Sequence, residues 1–228
     1  MMGGTVGGSV QLGGGGPSWQ YTKLGGGSAL DRALLVRDVC DLPVPADRTL
    51  PPRLLAEQPR MSRMLSQEER SAAAPQWIRW WRALVNLQVR SAGGYATPRQ
   101  AAWRDELDPP FEDGGSWPHY DGLADRPAPH KAVLVSLTHT DAWLREAQDR
   151  AGQEEPDDHF ELARSLAEAT IVEHGVSPDT VRALVIELLV PDQWWSRWSP
   201  GVVVAGSTAM RNSRVARSVL QSAYWSCL

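Results

Sequence analysis

The chain has 228 residues, 42% of them apolar and 22% charged, and a formal net charge of −4. That balance excludes a wholly disordered chain and argues against a dedicated nucleic-acid binder, which carries a basic surplus over its domain. Two cysteines, Cys40 and Cys227, are too few for a disulfide framework and lack zinc-type spacing, and no apolar run approaches the ~18–20 residues that span a bilayer.

The first residues have neither the basic flank nor the apolar stretch of a secretory signal, so a cytoplasmic protein is expected. Lys23 and Lys131 are the only lysines among 23 basic residues. The arginine bias is that of a GC-rich bacterial coding sequence and carries no functional message.

Residues 1–27 are glycine-rich, with consecutive glycines at 13–16 and 25–27. Glycine loses the most backbone freedom on folding, so a flexible N-terminal arm is expected here. Trp19 and Tyr21 interrupt it as a possible short docking element. The glycine runs follow no expected strand and precede no Gly-Lys-Ser/Thr, so neither a dinucleotide fingerprint nor a P-loop is read from them.

Residues 28–228 read as a mainly helical globular domain. Ser28 with Asp31 resembles a capping box, and Leu30, Leu34, Leu35, Val39 and Cys40 recur on an apolar stripe that ends near Pro43. Ser66 with Glu69 opens the next helix in S-x-x-E form. That helix is expected to be interrupted at Ala74-Pro75 and to run on to about Arg90, before Gly93-Gly94. Thr97-Pro98-Arg99-Gln100 starts another, ended by Pro109-Pro110. Residues 109–129 form a long aromatic loop of the kind that often carries function. Further helices are expected over 130–150, with Val133, Leu137, Leu144 and Ala147 on one face, and from a cap at Asp158 and Glu161 to Gly175. Ser177-Pro178 opens a short one.

The β-branched runs Leu184–Val190 and Val202–Val204 read as strands joined by a tryptophan-bearing connector, and a last helix follows over about 208–224. Two strands alone are marginal, so they must pack on helices or find a third. The fold class is therefore α+β: a predominantly helical single domain with a small C-terminal β-hairpin or sheet.

Eleven tryptophans are the most unusual feature. Trp77, Trp80 and Trp81 share one helix face; Trp194, Trp195 and Trp198 sit in the inter-strand connector. They read either as core or, with Arg79, Arg82 and Arg197 interleaved, as an aromatic interface. Arg211, Arg214 and Arg217 form a basic stripe on the last helix, for solvent or for an acidic partner.

Catalytic signals are weak. His119 and Asp121 in the loop can act as an acid–base pair or share a metal ion. His139 is a further weak candidate, but it and Asp141, two apart on a helix, point to nearly opposite sides and cannot both serve one ion. No nucleophile elbow or H-E-x-x-H is present. The favoured expectation is a protein-interaction or assembly component, a subunit or accessory factor, working through Trp/Arg surfaces and the N-terminal arm. It has a protein partner or self-associates, and it needs no cofactor, nucleic acid or membrane. The alternatives are an enzyme with its site in the 109–129 loop and a nucleic-acid-associated regulator using the arginine stripe.

Overall fold

The computed structural model describes residues 19–24, 29–54, 64–92, 130–134, 136, 142–146, 159–190 and 192–228. The expected helix over 97–108, the loop 109–129 and the cap residues Ser28 and Asp158 lie outside them. The chain is α+β, with helices and a four-stranded sheet among the described residues. It packs as two compact units. One contains residues 19–24 and 159–228, the other most of residues 29–91 and 130–146.

The second unit contains α1 (Ala29–Val39) and α2 (Gln67–Ser91). Helix α1 ends where Asp41 takes a left-handed conformation (φ 49°) and Leu42 N donates to Arg37 O at 2.9 Å, so the closing turn precedes Pro43. The capping box of α2 forms as its sequence implies: Glu69 N donates to Ser66 Oγ at 3.1 Å and Ser66 N to Glu69 Oε2 at 2.7 Å.

Helix α2 is not interrupted at Pro75, contrary to the sequence reading; it runs straight through. Pro75 is exposed, as is Ser71, so the Ser71 carbonyl that loses its helical donor faces water. The opposite side buries Ala73, Trp77, Trp80, Trp81, Leu84 and Val85, and that burial outweighs the cost of the proline. Residues 130–134 and 142–146 are helical, with Val133 and Leu144 buried as expected.

The first unit is built on β1 (Gln20–Leu24), β2 (Arg182–Leu188), β3 (Trp195–Ser199) and β4 (Val202–Gly206), in the order β1-β2-β4-β3. Strand β1 is parallel to β2, β2 is parallel to β4, and β3 runs antiparallel to β4. Part of the expected arm is thus an edge strand. Gln20 lies opposite Arg182 and Leu24 opposite Ile186, and the backbone pairing outweighs the entropy of the flanking glycines. Lys23 Nζ adds an ion pair to Glu187 Oε2 at 2.6 Å.

Helix α3 (Phe160–His174) has His159 rather than Asp158 in the cap position and stops at Gly175, whose φ is 61°. A 3-10 turn (Pro178–Thr180) leads into β2. The expected last helix is two: α4 (Ser207–Arg211) and α5 (Ser213–Ser226), broken at Asn212, whose side chain accepts from Arg214 N and Val215 N.

Ala183 and Val185 of β2 and Val203 and Ala205 of β4 share a core with α3 and α5. The alternate residues Leu184, Ile186, Leu188, Val202 and Val204 are buried as well. Burial of both faces explains why β2 and β4 read as unbroken aliphatic runs rather than alternating ones.

Candidate interaction surface

In the second unit, Trp77, Trp80 and Trp81 are buried. Trp77 Nε1 donates to Ala33 O at 2.8 Å, and the Trp77 and Trp81 rings stack with centroids 5.9 Å apart. The Arg37 guanidinium carbon lies 5.4 Å from the Trp77 ring centroid. Arg37, itself only 4% exposed, pairs with Asp38 at 2.6 Å and donates to Pro51 O and Pro52 O. Asp38 Oδ2 accepts from Leu54 N at 2.6 Å. The cluster thus ties the extended 51–54 segment to α1, and these three indoles supply no open surface. The indole N–H groups of Trp80 and Trp81 have no hydrogen-bond partner among the described residues.

In the first unit, Trp19 and Tyr21 turn toward the core under α3 and α5; Trp19 lies 5.7 Å from the Phe160 ring. They anchor β1 instead of standing free on an arm. Tyr224 is fully buried; burial first, then Tyr21 and Cys227, push its phenol above the ordinary range.

The second tryptophan group lies at an open edge. The expected connector folds as β3, the outermost strand, so among the described residues no strand pairs with its far side. Trp194, Trp195 and Trp198 are half-buried and Arg197 is exposed. Trp195 leans on the α3/α5 core, and Arg197 lies opposite Val203, on that same side of the sheet. The register shifts between Arg197 and Ser199, which places Trp198 at a bulge. Trp198 therefore sits where the ladder is disrupted.

Arg211 ends α4, and Arg214 and Arg217 lie on the outer side of α5; all three are exposed. Residues 193–228 hold four arginines and no acidic side chain, whereas the rest of the chain carries 19 basic against 27 acidic residues. Trp225, 47% exposed, lies on the same stripe as Arg214 and meets the His174 ring at 6.2 Å. Its exposure is signalled locally, because the spacing 214, 218, 221, 225 is helical and places it among polar positions.

The chain matches no family model, no curated protein and no solved structure. The weak catalytic candidates His119, Asp121 and His139 lie outside the described residues. Among the described residues no three His, Cys, Asp or Glu side chains converge on a metal position, and no helix is long and apolar enough to cross a membrane.

Proposed function

We propose that the chain is a protein-interaction component of a larger assembly, and that its contact surface is the outer edge of β3. One observation carries the reading: Trp198 on the edge strand β3 and Trp194 just before it are half-buried, and Arg197 between them is exposed. Tryptophan and arginine anchor protein interfaces because they bury large area with few degrees of freedom and pair readily. An edge strand also offers its outer side to an incoming segment, which can extend the sheet. Trp19 and Tyr21 belong to this reading as the anchors of β1, not as a docking arm.

The test is affinity capture from the native cell extract with the intact chain, Trp194→Ala and Trp198→Ala. Truncation before residue 28 is unsuitable, since it removes β1 from the sheet. The expected result is a stoichiometric partner held by the intact chain and lost with Trp198→Ala, at unchanged melting temperature. Undiminished capture by both variants, or no stoichiometric partner for the intact chain, removes the reading.

A further inference from the structure

We infer that the chain pairs with a second copy of itself through the outward faces of α3 and α5. This goes beyond the β3 reading above and uses a different surface of the same unit.

The two helices pack on each other over one side of the sheet, sharing a core through Ala163, Leu166 and Ala167 on α3 and Ala216, Val219 and Ala223 on α5. Their outward sides differ in sign. Helix α3 exposes Glu161 and Glu168 on one stripe with Val172, 83% exposed, and Arg164 at its side; Glu173 is exposed about a quarter-turn further round. Helix α5 and the end of α4 present Arg211, Arg214 and Arg217, with Trp225 exposed farther along.

Arg164 already pairs with Glu161 at 2.5 Å and reaches Glu168 at 3.9 Å. Glu173, Arg214 and Arg217 form no ion pair among the described residues. The two helices pack on each other with these side chains exposed, and Glu173, Arg214 and Arg217 are not neutralised within one copy. A surface with adjacent halves of opposite sign is complementary to itself. A twofold axis running between the helices sets α3 of each copy on α5 of the other. Both halves are then paired at once, Val172 and Trp225 gain cover, and the assembly closes at two. The acid-free C-terminal stretch of this net acidic chain is the sequence counterpart of that arrangement.

Sedimentation velocity on the full chain at roughly 50 mM and roughly 500 mM NaCl tests this, since added salt screens pairs of exposed charges. The expected result is a dimer at low salt that dissociates at high salt. Arg214→Glu/Arg217→Glu should weaken the dimer at least tenfold, and so should Glu168→Arg/Glu173→Arg. Mixing the two variants should restore a heterodimer, because each then offers what the other lacks. A misfolded variant could not be rescued that way; if the first variant fails to fold, the second alone carries the test. A monomer under all conditions, or a dimer indifferent to both charge reversals, overturns the inference. So does a species whose size comes from bound nucleic acid and collapses on nuclease treatment. A monomer that still captures its partner through Trp198 overturns only the self-pairing. A salt-sensitive dimer with no partner lost on Trp198→Ala overturns only the β3 reading.

Discussion

A Cβ built on Gly206 would stand 2.7 Å from the backbone oxygen of Asp192 and 2.9 Å from that of Val190. The topology causes this approach. Strand β3 lies outside β4, so the chain leaving β2 must cross the end of β4 to reach it; Val190 and Asp192 stand beside that end of β4. Gly206 N donates to Trp194 O at 2.9 Å, which binds the crossing to the strand beneath it.

Gly206→Ala should therefore destabilise the protein. Two backbone oxygens cannot step aside as a flexible side chain can, so the cost is that of overpacking, about 1–3 kcal/mol. Urea denaturation of the variant against the parent chain measures it. A midpoint equal to the parent's would show that the crossing relaxes freely.

Glu69 sets an acid limb. Its hydrogen bond to Lys131, 2.5 Å, and then the backbone N–H of Ser66 hold its carboxyl at about 2, below the ordinary 4.5. A carboxylate whose folded pKa is depressed contributes stability that is complete above its unfolded pKa and is lost as pH falls through the folded one. The loss from this residue thus runs from about 4.5 down to about 2. Glu69→Gln should flatten the pH dependence of the melting temperature in that window and leave the neutral-pH slope alone. An unchanged acid limb would refute the assignment.

Arg37 is the lesion expected to cost most in the second unit. Its removal leaves Asp38 buried without its cation, and releases the carbonyls of Pro51 and Pro52. Stranding one member of a buried pair typically costs about 3–5 kcal/mol. Arg37→Ala should approach that, and Arg37→Ala/Asp38→Asn should recover part of it, since no charge is then left unpaired. Equal losses for the single and double variants, read by chemical denaturation, would argue against the ion pair as the source.

Cys40 should be inert while the protein is folded. Burial raises its thiol to about 12, and its Sγ rests against Ala132 O at 3.6 Å. The thiolate is the reactive form, so maleimide at mildly alkaline pH should leave Cys40 unmodified in native protein and label it fully in denaturant. Peptide mass spectrometry separates it from Cys227. Rapid native labelling at Cys40 would show that the α1 region opens readily.

The features legible in the sequence are those in which a residue answers to neighbours a few positions away. Ser66 and Glu69 cap each other across one turn, Gly175 closes α3, and the aliphatic runs at Leu184 and Val202 lie close to β2 and β4. The shared helix face of Trp77, Trp80 and Trp81 is equally local. Their burial is not, because whether a face meets core or water depends on what the chain brings to it. The tryptophans at 194, 195 and 198 could be grouped from spacing alone, but nothing nearby marks their segment as an outer strand.

The mixture of helix and strand, the helix ends set by i to i+3 contacts, and the gathering of Trp and Arg into a few short stretches are therefore local properties of the chain. That Gln20–Leu24 joins a sheet, that the Trp194 connector leads into its edge, and that Gly206 must lack a side chain are set by contacts between distant parts of the chain. The physical reason is separation along the chain. Gln20 pairs with Arg182 through hydrogen bonds that any backbone can make, so the side chains of a glycine-rich segment announce nothing of the partner that orders it.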